Sequence, residues 1–180
     1  KWFVNGKLNI TENIFERNLP TRRDQTALIW EPNDPKEKEI KLTYGQLFEK
    51  VCVVANALKK QGVGKGDRVA IYLPMVPELP IAMLACARIG AVHSIVFAGF
   101  SATSLMDRIN DSQCKIILTA DGLFRGNKNV ALKSIVDEAL ENCPSIEHSI
   151  VLRRTGDPIN MVEGRDIWWE DFVRGVSKEN

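Results

Sequence analysis

The residues best placed to do chemistry are Arg125 and Lys128, two cations that bracket Gly126 and Asn127. Arginine offers a planar fork of donors and lysine a point charge, so such a pair at a strand end can hold a phosphate. The same four residues also suit a solvated surface loop. A second candidate is Phe97-Ala98-Gly99-Phe100-Ser101. Gly99 lacks a side chain where strand turns into helix, which lets a narrow ligand chain approach the backbone. The plainer alternative is a connection that needs an unusual φ. Asp107, Asp111 and Asp121 are single carboxylates in surface-like positions, and His93 falls inside a strand pattern as a core or site-wall residue. None makes a convincing nucleophile or general acid, so no catalytic residue is expected in this chain.

Positioning these loops requires an alternating β/α framework. Ala27-Leu28-Ile29-Trp30 predicts a strand, returned by Ile40–Leu42 after the turn-rich EPNDPKEKE. Thr43-Tyr44-Gly45-Gln46 has the capping-box form, and apolar residues from Tyr44 to Leu58 then make one buried helical stripe. The glycines of Gly62-Val63-Gly64-Lys65-Gly66 follow a helix and precede a strand, so they predict a tight turn rather than a phosphate loop. Arg68–Leu73 is a strand, and residues 78–89 are a helix apolar almost all round, hence buried.

Residues 91–97 predict the second strand of a β-α-β unit, and their near-continuous apolar run suits a central strand covered on both faces. Ser101 caps a third helix, and Lys115–Thr119 is a third parallel strand. A polar loop over 120–129, a helix through Leu132–Leu140 and a strand at Ser149–Leu152 follow. Ile167–Val173 predicts a short helix packing two tryptophans. The expected class is α/β: a doubly wound, mainly parallel sheet with flanking helices. Ligands of such sheets bind at the carboxyl ends of the strands. Neighbouring strands would then place the Phe97 and Arg125 loops side by side. Residues 1–23, with Trp2, Phe3, Ile14 and Phe15, predict a lead that packs on the α/β body of 24–180.

Composition narrows the function. With 24 Lys+Arg against 23 Asp+Glu the 180-residue chain is nearly neutral, which gives no support to nucleic-acid or membrane-surface binding. No run approaches the ~20 apolar residues of a membrane span. Cys52, Cys86, Cys114 and Cys143 form no CxxC pair, and His93 and His148 lack ligand spacing, so core thiols are expected and no metal site. The first parallel strand carries no GxGxxG to its helix, against a nicotinamide-binding domain.

The stretches LTYGQL, GVGKGDRVAIYLPMVPE, AMLACARIGAVHSIVFAGFSATSLMDRINDSQCKIILTADGLFRGNK and VEGRDIWWEDF closely resemble the acetyl-CoA synthetases, AMP-forming short-chain acyl-CoA ligases of the adenylate-forming superfamily. The resemblance runs nearly end to end. It implies the first α/β part of a large N-terminal domain, here incomplete. The implied reaction is two-step: ATP and acetate give acetyl-adenylate and pyrophosphate, then CoA gives acetyl-CoA and AMP. By similarity Arg125, Gly126, Asn127 and Lys128 match the CoA-binding loop, with the basic pair at the nucleotide 3′-phosphate region. Phe97 and Gly99 match residues lining the pantetheine passage. The family often has two glycines where this chain has Ala98-Gly99, and the retained Gly99 is expected to make the methyl tolerable. CoA and ATP are the implied substrates. The Ser/Thr/Gly-rich ATP loop, the acetate pocket, the Mg2+ ligands and the C-terminal lysine are expected beyond Asn180, so the chain alone is expected to be inactive. A propionate-specific ligase and a non-catalytic interaction module are the alternatives, with the RIGAVHS and GRDIWW wording favouring acetate. The implied compartment is the cytoplasm, with the mitochondrion open, and the oligomeric state is open.

Overall fold

The computed structural model describes residues 2–126 and 128–179. Two short helices, α1 (Ile10–Ile14) and α2 (Leu19–Arg22), lead into an antiparallel ribbon of β1 (Thr26–Trp30) and β2 (Ile40–Thr43). Thr43 ends β2 and caps α3 (Tyr44–Lys60): its Oγ1 accepts from the Gln46 amide at 3.2 Å, and Gln46 Oε1 accepts from the Thr43 amide at 3.0 Å. This reciprocal box satisfies two amides the first turn leaves unpaired. Leu47, Val51, Val54, Ala55 and Leu58 form the buried stripe of α3. Gly62 (φ +79°) and Gly66 (φ +88°) then turn the chain into β3 (Arg68–Ile71), in left-handed conformations that favour glycine.

The elements α4 (Glu78–Ile89), β4 (Val92–Ile95), α5 (Ala102–Ser112) and β5 (Ile116–Ala120) follow in strict alternation. No residue of α4 is exposed, as its apolar circumference predicts. The Ser101 side chain accepts from the Ser104 amide at the start of α5. After β5 come β6 (Leu123–Arg125) and β7 (Lys128–Val130), then α6 (Leu132–Leu140), β8 (His148–Leu152), β9 (Asp166–Trp168) and α7 (Trp169–Phe172).

Five strands form one parallel sheet in the order β4-β3-β5-β8-β9. The chain steps from β3 outward to β4, then returns across β3 to β5. That reversal is a topological switch point, and with right-handed crossovers it sends α4 and α5 to opposite faces. The helices pair accordingly, α3 with α4 and α5 with α6. The sheet centre is dry: all five residues of β5 are buried.

Five expectations are corrected. The apolar strand at 92–95 is not central but the sheet edge, with Val92 53% and Ile95 46% exposed. The next crossover returns the chain past β3 to β5, so β3 is covered on both edges and β4 is left outermost. For the same reason β4 and β5 are not neighbours. The loop at 120–129 contains the β6–β7 hairpin. The segment at 167–173 is a fifth parallel strand followed by one helical turn, with Trp168 ending β9 and Trp169 beginning α7. The lead divides: Phe15 is fully buried, edge-on to Phe48 at 5.3 Å, whereas Trp2 and Phe3 are each 90% exposed. Asn9 Nδ2 also ties the lead to the body by donating to the Ala87 and Arg88 carbonyls at 3.0 Å.

Candidate functional site

A groove of about 480 Å3 opens at the carboxyl end of the sheet. Its floor is the segment after β3, Leu73-Pro74-Met75. One side is Ile95–Ala98 after β4, and the other is Leu123–Arg125 of the β6–β7 hairpin. The Phe97 and Arg125 loops therefore share one groove although β3 lies between their strands. The end of β1, with Ile29 and Trp30, closes a third side.

Each wall is fixed by identifiable bonds. The Val96 amide donates to the Ile71 carbonyl at 2.9 Å, and Tyr72 Oη donates to the Phe100 carbonyl at 2.7 Å. These hold the loop after β4 against the sheet. Phe97 is 63% exposed and meets Phe100 edge to face at 6.1 Å. Gly99 lies behind this ring. A Cβ there would sit 2.8 Å from Phe97 Cε1, and its φ is not in the left-handed region. A side chain there would push the exposed Phe97 ring aside, and the backbone itself does not demand glycine, which corrects the alternative of an unusual φ. Ala98 stands beside it on the groove wall.

On the hairpin, Arg125 and Lys128 are paired residues across the turn. Gly126 takes φ +59° in that turn, and both cations are exposed. Asn127 lies outside the described residues. The pairing puts two positive charges at one hairpin tip beside an apolar groove. Such a site can hold a phosphorylated head group in water while its unbranched tail leaves solvent.

The hairpin is held by residues that sequence reasoning missed. Asp121 is 2% exposed, not a surface carboxylate. Its Oδ1 accepts from the amides of Gly122 (2.7 Å), Arg154 (2.7 Å) and Thr155 (3.0 Å), and its Oδ2 from that of Gly156 (2.8 Å). Four amides balance the desolvation of one buried charge and lock the loop after β8 onto the start of the hairpin. Gly122 makes room for this contact, because a Cβ there would lie 2.8 Å from Thr155 Oγ1 and 3.0 Å from the Val130 carbonyl oxygen. Trp30 Nε1 donates to the Met75 carbonyl at 2.7 Å, and Asn33 Nδ2 donates to the Phe124 carbonyl at 3.3 Å. Arg154 lines the groove between Trp30 and Phe124. The available signal was position: Asp121 directly follows β5 and Arg154 lies two residues past β8, at strand ends where ligand sites form.

The charged side chains of the groove are Glu31, Arg125 and Arg154. Elsewhere the four cysteines are free and buried in the core, and burial pushes the Cys86 thiol up to about 12, far from thiolate reactivity. Among the described residues, no group of three His, Cys, Asp or Glu could hold a metal ion. Among them, too, no helix is long and apolar enough to cross a membrane.

The sequence pattern of the AMP-binding enzymes matches residues 15–173. This chain belongs to the AMP-binding enzyme family. Within that family it is 54% identical over 179 residues to an acetyl-coenzyme A synthetase of Alkalilimnicola ehrlichii, covering 99% of this chain and 28% of the relative. It is 55% identical over 180 residues to an acetyl-coenzyme A synthetase of Rubrobacter xylanophilus, again with 99% and 28% coverage. Against one from Nostoc linckia identity is 57% over 171 residues, 95% of this chain and 50% of the relative. The chain thus spans between about a quarter and a half of the length of these AMP-binding relatives, and the α/β sheet described above is the part it contributes.

Proposed function

We propose that this segment is the CoA-holding part of an acetate–CoA ligase. In that reaction ATP and acetate form acetyl-adenylate and pyrophosphate, and the CoA thiol displaces AMP to give acetyl-CoA. Residues 24–180 form the first α/β part of a larger adenylate-forming domain, with residues 1–23 as a lead along it. The observation that carries the reading is the placement of two exposed cations, Arg125 and Lys128, at a hairpin tip beside an apolar groove walled by Phe97. CoA has this chemistry in one molecule: a phosphorylated nucleotide joined to a narrow, largely apolar arm.

In this reading Arg125 and Lys128 contact the 3′-phosphate, with Gly126 and Asn127 between them in sequence. Phe97, with Gly99 making space behind its ring, walls the passage for the arm. Orientation of the arm is the segment's contribution to rate, because a thiol held in line with the adenylate reacts as an intramolecular partner. ATP is the co-substrate. Magnesium would assist its reaction from residues outside this segment.

The test compares CoA with 3′-dephospho-CoA in the full-length enzyme. Wild type should favour CoA through its charge-assisted contacts, each worth ~1.5–3 kcal/mol, or roughly 12- to 150-fold in KM. Arg125→Ala should erase most of that preference. A variant that still discriminates as wild type does would refute the placement of the phosphate.

A further inference from the structure

The groove lies between two small ribbons, β1–β2 and β6–β7, and neither is hydrogen-bonded to the five-stranded sheet. A two-stranded ribbon is marginally stable alone, and three residue pairs are a short one. Something must set the distance between the ribbons if Arg125 is to meet a ligand at a fixed place. Arg154, on the loop after β8, spans that gap.

Its Nη1 and Nη2 donate to Glu37 Oε1 and Oε2 at 2.7 and 2.8 Å, a bidentate fork onto the β1–β2 connection. The same guanidinium lies 5.3 Å from the Trp30 ring centroid and 4.9 Å from that of Phe124. Trp30 belongs to β1 and Phe124 to β6, so one planar cation touches both ribbons. The Arg154 side chain is only 17% exposed. Its backbone amide is anchored on Asp121, so the side chain extends from a fixed point. The Asn33 bond to the Phe124 carbonyl runs between the same two ribbons.

We infer that Arg154 is a positioning residue that staples the β1–β2 ribbon to the β6–β7 hairpin and so sets where Arg125 meets CoA. The inference rests on the CoA reading of this groove. Its physical basis is the guanidinium: a fork matched to a carboxylate and a flat face matched to two rings. Lysine carries the charge but offers neither fork nor plate.

The experiment uses the full-length enzyme with Arg154→Gln, Arg154→Lys and the milder Glu37→Gln. Two readouts are taken: steady-state KM for CoA, ATP and acetate, and amide hydrogen exchange across residues 123–130. Arg154→Gln should raise the CoA KM about tenfold and speed exchange in the hairpin about tenfold, with kcat and the other two KM values within about twofold. Arg154→Lys should resemble Arg154→Gln, and Glu37→Gln should shift both readouts in the same direction by less. Full recovery by Arg154→Lys would overturn the staple, because charge alone would then suffice. Unchanged hairpin exchange in Arg154→Gln would also overturn it. If Arg154→Gln unfolds the enzyme, Glu37→Gln decides on the same two readouts. Should Arg125→Ala leave the CoA KM unchanged while Arg154→Gln still loosens the hairpin, the CoA reading fails and the staple stands.

Discussion

Replacing Asp121 with asparagine should destabilise the chain out of proportion to the size of the change. The substitution preserves shape and Oδ1, and with it the acceptor for the Gly122, Arg154 and Thr155 amides. It puts an NH2 group where Oδ2 accepts from the Gly156 amide at 2.8 Å, so two donors face each other in a site 2% exposed. One charge-assisted hydrogen bond is lost, at ~1.5–3 kcal/mol. For a cooperative unit of about 150–250 residues each kcal/mol lowers Tm by about 2–4 °C, so the expected fall is roughly 3–12 °C for a unit of that size. Thermal unfolding followed by circular dichroism measures the shift, and amide exchange at 154–156 locates it. A Tm within about 1 °C of wild type, with exchange at these amides unchanged, would refute the claim that this carboxylate organises the site.

Gly99→Leu should displace the Phe97 ring, which a Cβ would meet at 2.8 Å, and slow transfer to CoA while leaving acetyl-adenylate formation intact. Single-turnover assays of the two half-reactions separate these steps, and loss of both would indicate misfolding instead. The ion network of Lys133, Asp137, Arg165 and Asp166 should make β9 acid-sensitive. Lys133 Nζ lies 2.8 Å from Asp166 Oδ2 and 2.6 Å from Asp137 Oδ1, and the side chains of Lys133 and Asp166 are almost wholly buried. Burial works against the Asp166 charge, but hydrogen bonds from Arg165, Lys133 and the Val162 amide outweigh it and hold its carboxyl below the ordinary range. A depressed carboxyl contributes its full stability above the unfolded value near pH ~3.9 and loses it as pH falls through the folded value. Urea unfolding should therefore show wild type exceeding Asp166→Asn by roughly 2–3 kcal/mol at pH 7, less than for a stripped buried pair because Asp137 stays on Lys133. That gap should close on acidification, and a gap that widens below pH ~4 would contradict the assignment.

Local chemistry made much of the framework legible. The Thr43–Gln46 box, the Ser101 cap, the glycine turn at 62–66 and the alternation of strands with helices each depend on residues within a few positions of one another. Sheet order was not legible in this way. The apolar composition of Val92–Ile95 fits a buried strand equally well whether its outer edge is paired or open. The three-residue strands of the hairpin and β9 carry too few side chains for alternation to register. In the site, Arg125, Lys128 and Gly99 stood out because charge or glycine at a strand end is a local signal, whereas Phe97 stood out through the family resemblance. Asp121 and Arg154 did not, because their partners are remote. Asp121 binds amides 33 to 35 residues away, and Arg154 reaches Glu37 across 117. A lone carboxylate and one of two adjacent arginines acquire meaning only when the sheet brings those loops together.

The most direct test of the central claim is the steady-state kinetics of Arg125→Ala in the full-length enzyme, with CoA, ATP and acetate varied in turn. Binding of CoA at the hairpin tip predicts a CoA KM raised roughly 12-fold or more, with the KM values for ATP and acetate nearly unchanged. Equal changes in all three, or none for CoA, would contradict it.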